Sequence, residues 1–371
     1  MYDFSKLDKR LFKYVYEEKN VSGLSIAVVK DNNIVFNKNY GLANIEKNYP
    51  VTNHIVFRLA SMTKPITAVA VLVCFDMGLL KISDYIDQYI PFMNAFYVRD
   101  LDGNLLDEKP YRLTIDQLCR HTSGLQSGAL GEKETNRLPI EDYSSLENMM
   151  TKYKDFSLEY VPSSNVTYSA YAAFDILARI VEIVSKMKYE DFIKKYIFDP
   201  LGMKDTTYSL DNIDEKVLAV TYRKEGDKLI PPKDLEPGFL GFPNGYPSGG
   251  AGLLSTLDDY LKFAVMLANG GEYNGKTIIS KEAFKELTSY SLTDPIKLFG
   301  LSVHLREGRE WEHLPSSFFG WSGAYGSHFF VSKKHNLAVV YLHNSHSFGG
   351  AGAEHCYLLE DDICEIFGLK K

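Results

Sequence analysis

Strand-like runs stand at both ends of this chain, and helix-like runs fill its middle. GLSIAVVKDNNIVFNKNYGLAN, residues 23–44, reads as two strands around a Lys-Asp-Asn-Asn turn. KLFGLSVHLRE, SHFFVSKK and NLAVVYLHN, all between residues 297 and 344, read as three consecutive strands. Connections inside each group are short, which favours antiparallel pairing over a sheet wound through crossover helices.

Helical spacing covers residues 5–19. It returns from about 62 to 77, where Ile66, Val69, Ala70 and Val73 recur at helical intervals and Gly78 stops the run. Residues 79–113 read as loop with short helices. LTIDQLCRHTSGL opens with Thr114 and Gln117 at capping-box spacing and ends at Gly124. Residues 125–165 read as irregular, with one helix near 143–153, and 211–250 as loops and edge strands. From Ala170 to Lys186, Phe174, Leu177, Ile180, Val181 and Val184 line one helix face. Thr256 and Asp259 cap a helix ending at Asn269-Gly270-Gly271, and AEHCYLLEDDICEIFG closes the chain as an amphipathic helix. These signals predict an α+β fold of one domain in two lobes. Residues 1–75 and 215–371 form an α/β lobe with an antiparallel sheet flanked by helices, and 76–214 form an inserted, mostly helical lobe.

Composition narrows the function classes. No apolar run reaches the ~20 residues of a membrane span. The N-terminus, MYDFSKLDKRLFKYVYEEKN, is charged throughout and has no signal-peptide core, so a cytoplasmic location is expected. A net charge of −7 without a Lys/Arg cluster argues against nucleic acid as a partner. Cys74, Cys119, Cys356 and Cys364 form no Cys-x-x-Cys pair and read as free thiols. His343 and His346, in HNSH, read as loop residues, so no metal site is expected.

The chemistry concentrates in RLASMTKPIT, residues 58–67. Pro65 lacks an N–H and is tolerated only in a helix's first turn, which pins Ser61 at or beside a helix N-terminus. Free backbone N–H groups and the positive end of the dipole favour a developing anion there. Lys64, three residues on, shares the face of Ser61. A desolvated Lys64 amine has a lowered pKa and can take the serine proton. The second Ser-x-x-Lys, Ser185 and Lys188, lies at the polar end of a helix and reads as structural.

RLASMTKPITAVAVL, LTIDQLCRHTSGL, VPSSNVTYSAYAAFDILARIVE, PSGGAGLLSTLDDYLKFAVMLANGG and FGWSGAYGSHFFVSKKHNLAVVYLHN occur in that order. Together they resemble the serine β-lactamase/penicillin-binding-protein superfamily, its class C branch, and most of all the family VIII carboxylesterases. The resemblance runs from about residue 5 to 368 and implies a β-lactamase/transpeptidase-like fold. It implies Ser61 as the acylated nucleophile, Lys64 as its partner and Tyr168 as a proton shuttle. Trp321, Ser322 and Gly323 stand where the family has its Lys-Thr-Gly strand motif and are implied to bind substrate. The N–H groups of Ser61 and Ala324 are implied as the oxyanion hole. No cofactor is implied.

Two departures steer the substrate expectation. Ala170 stands where the family's Tyr-x-Asn motif has asparagine, which leaves the orientation of Lys64 to other groups. Trp321 replaces a cationic or imidazole residue and offers one N–H and an apolar face in place of a charge. Both favour small neutral carboxylic esters as substrates. A β-lactamase, a D-aminopeptidase, an acyltransferase, or a penicillin-binding regulatory protein without turnover are the alternatives. The chain has no Gly-x-Ser-x-Gly elbow, which disfavours an α/β-hydrolase. His121 and Ser123 are expected to fix a loop near the site, and Gly249, Gly250 and Gly252 to let the chain pass close to its neighbours. Aromatic and leucine side chains from 125–165 and 235–247 are expected to wall the acyl pocket.

Overall fold

The computed structural model describes residues 2–211, 213–232, 242–290, 298–310, 312–350 and 352–370. Its organising element is an eight-stranded antiparallel sheet. In spatial order its strands are Leu298–Phe299, His304–Leu305, Phe319–Ser322, His328–Ser332, Leu337–Leu342, Gly23–Lys30, Asn33–Asn44 and Tyr49–Pro50. The two ends of the chain meet at its centre, where Ser25 pairs with Leu342 and Lys30 with Leu337.

Both faces of this sheet are covered, which explains why its central strands read as unbroken apolar runs. Alternate side chains point to opposite faces. Ala27, Val29, Phe329, Val331, Ala338 and Val340 join the larger core with the helix Leu257–Ala268. Leu24, Ile26, Val28, Phe330, Val339 and Tyr341 join a second core under the N-terminal helix Ser5–Phe12 and the C-terminal helix Glu354–Phe367. Each fully buried Val, Leu, Ile or Phe contributes roughly 1.5–3 kcal/mol over its exposed state.

The helix Thr63–Asp76 is buried on all sides from Thr63 to Cys74, so it has no polar stripe and works as the axis of the molecule. It packs against Ala172–Ser185, the other long helix near the cleft. Helix ends follow local chemistry. Thr114 and Gln117 form a full capping box, Ser145 caps Leu146–Tyr153, and Thr256 accepts from Asp259 N–H.

Several local expectations need revision. The stretch 5–19 is an α-helix to Phe12 and then a π-turn, Lys13–Glu17. An additional helix, Gly128–Thr135, lies in the stretch expected to be irregular. KLFGLSVHLRE is a tight hairpin of two short strands turned by Ser302 at φ 65°, with Lys297 outside the described residues. The three expected strands are also not consecutive, because Phe319–Ser322 lies between the second and the first. Among the described residues no helix is long and apolar enough to cross a membrane.

Candidate active site

Ser61 sits in a 3₁₀ turn, Ala60–Met62, that runs into the helix beginning at Thr63, and Pro65 falls in that helix's first turn. The residue before the serine, Ala60, is held at φ 48°, left-handed backbone that an alanine adopts at a cost of about 1–3 kcal/mol. Its neighbours hold it there. Leu59 N–H bonds the Leu253 carbonyl at 2.9 Å, and Met62 N–H bonds the Leu59 carbonyl at 3.1 Å.

Two side chains, one near in sequence and one distant, converge on the serine oxygen. The Tyr168 phenol lies 2.6 Å from Ser61 Oγ, and Lys64 Nζ lies 3.3 Å from it. Lys64 is fully buried and also donates to the Ala170 carbonyl at 2.7 Å and the Gly250 carbonyl at 2.8 Å. Those two carbonyls are the groups that orient the lysine where the asparagine is missing. A protonated amine has three donors, and a neutral one has two donors and a lone pair. With two N–H groups committed to carbonyls, the third valence of Lys64 faces Ser61. Burial holds the lysine well below its ordinary pKa of 10.5, partly offset by the Asp175 carboxylate. Burial also pushes the Tyr168 phenol above its ordinary range, against its contacts with Ser61 and Trp321. The amine is therefore the group that can accept a proton, and the phenol the group that holds one.

The segment carrying Tyr168 is fixed from behind. His121, at φ 60°, accepts the Ser169 N–H on Nδ1 at 3.1 Å, while its carbonyl accepts the Thr167 N–H at 3.0 Å. Its ring lies 4.8 Å from that of Tyr168. Ser123 does a smaller job, accepting the Leu125 N–H at 3.2 Å. Gln126 is a contributor with no sequence signal of its own. Its Oε1 accepts the N–H groups of Tyr171 at 2.7 Å and Ala172 at 2.5 Å, which caps a helix whose own N-cap side chain does not.

The strand Phe319–Ser322 lines the other side. Trp321 packs its ring 5.7 Å from Tyr168 and 5.3 Å from Phe299, with its indole nitrogen buried. A Cβ on Gly323 would stand 2.3 Å from the Leu59 carbonyl. The glycine therefore lets this strand's end close against the serine turn itself. Ala324 follows, exposed, in a turn made by Gly326 N–H to the Gly323 carbonyl at 3.0 Å and Gly323 N–H to the Ser327 carbonyl at 2.7 Å. Ser322 is the exception among the implied substrate-binding residues. Alternation along the strand turns its hydroxyl away from Trp321 and onto His328 Nδ1, 2.8 Å away. His328 Nε2 then meets Glu360 at 3.2 Å, and Arg306 meets the same carboxylate at 2.9 Å.

Tyr143, Tyr171, Phe242 and Tyr246 form an aromatic cluster with ring centroids 4.9–5.4 Å apart. Tyr143, Phe242 and Tyr246 come from the two stretches expected to wall a pocket, Tyr171 lies outside both, and 235–241 lies outside the described residues. Ser185 Oγ accepts the Met187 N–H at 3.2 Å, so the second Ser-x-x-Lys is a helix end.

A sequence model of the family described as Beta-lactamase matches residues 9–360. Protein Rv1367c of Mycobacterium tuberculosis is 29% identical over 81% of this chain and 80% of its own length. Esterase EstB of Burkholderia gladioli is 26% identical over 94% of this chain and 93% of its own. Among solved structures, EstCE1, described as a hydrolase with promiscuous acyltransferase activity, superposes with a TM-score of 0.79. It is 21% identical, covers 97% of each chain, and speaks for the fold alone.

Proposed function

The chain belongs to the beta-lactamase family, and from that premise we propose that it is a serine carboxylesterase working through a covalent acyl-enzyme on small neutral esters. The observation that carries this reading is the lysine cradle. Two backbone carbonyls hold Lys64, burial keeps it readily neutral, and its remaining valence meets Ser61. In this reading the site lies at the junction of the α/β lobe (1–75 and 215–371) and the helical lobe (76–214).

Ser61 Oγ attacks the ester carbonyl carbon while its proton passes to the Lys64 amine. The resulting oxyanion accepts the N–H groups of Ser61 and Ala324, an arrangement in which one donor is typically worth ~10²–10³ in rate. Tyr168 gives its phenolic proton to the departing alkoxide as the C–O bond breaks. The Lys64 ammonium, 4.8 Å from the centre of the Tyr168 ring, returns a proton to the phenolate. Water then adds to the acyl carbon and gives a proton to the same pair, the bond from that carbon to Ser61 Oγ breaks, the pair returns the proton to Oγ, and the carboxylic acid leaves.

Support for esters over amides or β-lactams comes from what surrounds the serine. Trp321 presents an apolar face and a single N–H, which gives a substrate carboxylate no countercharge. The name of the relative EstB, an esterase, points the same way. The test is turnover of short-chain nitrophenyl esters by the wild type and Ser61→Ala, beside cephalosporins, D-peptides and acceptor alcohols. Ester hydrolysis that vanishes in the variant is expected. Equal rates in both proteins end the proposal, and preference for an amide over the matching ester reverses the substrate assignment.

A further inference from the structure

One buried carboxylate near this site has no part in the scheme above. Asp175 lies one turn into the helix Ala172–Ser185 and is fully buried. Its Oδ2 accepts the phenols of Tyr153 at 2.9 Å and Tyr246 at 2.8 Å. Its Oδ1 accepts the Ser248 hydroxyl at 2.7 Å and the Gly249 N–H at 2.9 Å. Four donors fill the acceptor capacity of an ionised carboxylate, and a core that needed only polar satisfaction has cheaper solutions than a charge.

Two of the four bonds, those from Ser248 and Gly249, hold the turn that holds the lysine. Ser248 Oγ passes the contact on by accepting the N–H groups of Gly250 at 3.2 Å and Ala251 at 3.3 Å. The Ser248 carbonyl is held by the Tyr208 phenol at 2.8 Å, and the Gly249 carbonyl by Thr67 Oγ1 at 2.7 Å. That leaves the Gly250 carbonyl, which receives Lys64 Nζ at 2.8 Å. The turn lies tight against its support: a Cβ on Gly249 would stand 2.2 Å from the Phe174 carbonyl.

We propose that Asp175 is a positioning residue: it builds the Ser248–Gly250 turn whose carbonyl aims the Lys64 amine at Ser61. The inference rests on the reading of Ser61 and Lys64 as nucleophile and base. The titratable groups around Asp175 are Tyr143, Tyr153, Tyr171, Tyr189, Tyr208 and Tyr246, all held as phenols by burial, together with Lys64. Asp175 favours the charged form of Lys64 against the effect of burial, and burial in turn raises the pKa of Asp175, against its four hydrogen bonds.

The experiment follows the rate at which a fluorophosphonate labels Ser61, by intact mass, across pH in wild type, Asp175→Asn and Ser248→Ala. In that reaction Ser61 Oγ bonds phosphorus, fluoride leaves, and the serine proton passes to Lys64. Misplacing a base by about an ångström costs on the order of 10²-fold, so labelling of folded Asp175→Asn is expected to fall by roughly tenfold to a hundredfold. Its acid limb is expected to move to lower pH, since the charge favouring the ammonium is gone. Ser248→Ala keeps that charge, so its labelling slows with the limb unmoved. That variant decides the matter if Asp175→Asn does not fold. Wild-type labelling rates and an unmoved limb in a folded Asp175→Asn, or wild-type rates in Ser248→Ala, overturn the inference alone. A wild type whose Ser61 takes no label overturns the esterase reading and this inference with it.

Discussion

Ser61 Oγ and the Tyr168 phenol lie 2.6 Å apart, although 107 residues separate them in the chain. The phenol's burial keeps its proton in place, so the pair is a serine beside an acid rather than a serine beside a base. Tyr168→Phe removes the acid and keeps the ring against His121 and Trp321. Its kcat on alkyl esters is expected to fall by ~10²–10⁴ with KM little changed. The loss should be smaller for esters with good leaving groups, which need less protonation. A variant equally active on alkyl esters would remove Tyr168 from the mechanism.

Lys64 sets the pH profile. Its folded pKa is depressed, so the amine is neutral above that value and charged below it. The rate is expected to fall on the acid side with unit slope as the ammonium forms, with a midpoint well below 10.5. A profile still rising through pH 10 would mean that the buried lysine titrates like an exposed one.

Gly323→Ala would push a methyl group into the Leu59 carbonyl. Overpacking of this kind costs roughly 1–3 kcal/mol, read as a lowered melting temperature. It also moves Ala324 relative to Ser61, so kcat is expected to fall by about 10²–10³ even at temperatures where the variant is fully folded. An active, equally stable variant would show that the strand end and the serine turn are not in register contact.

Acid sensitivity should come from the far side of the sheet. Burial depresses the His343 pKa to about 4, and that of its neighbour His355 to about 2. As pH falls below the unfolded value of 6.5, the unfolded chain takes up protons that the folded protein refuses. Stability is present above that pH and lost down to the folded pKa, by about 3 kcal/mol for His343. Urea unfolding between pH 7.5 and 4.5 should show this slope. His343→Gln, which retains an N–H for the Phe348 carbonyl, should flatten it.

Much of the fold was legible because its signals are local. Unbroken apolar runs mark sheet strands buried on both faces, and Thr114 and Thr256 mark helix starts. The helix Gly128–Thr135 was not, since GALGEKET buries only Leu130 and Gly131 and has no apolar stripe. At the site, Ser61 and Lys64 could be read from Pro65 and their spacing, whereas Tyr168 could be read only from its place in an ordered set of segments. The lysine cradle was invisible for a physical reason. It consists of the carbonyls of Ala170 and Gly250, and a carbonyl is the same in every residue type. Ser322 was expected at the substrate from its place in the strand motif, and the contact its hydroxyl makes, with His328, has no mark in the sequence.

The pairing of Gly23–Lys30 with Leu337–Leu342 has a consequence for biosynthesis. The first hairpin leaves the ribosome with one edge bare, and its proper neighbour, Leu337–Leu342, is made long after it. Until then, that edge is open to strands of other nascent chains. Contacts between such remote segments are slow to form, so the last step of assembly is also the one that closes the cleft wall around Trp321. A ribosome-bound or C-terminally truncated chain should therefore carry the serine and the lysine without their reactivity.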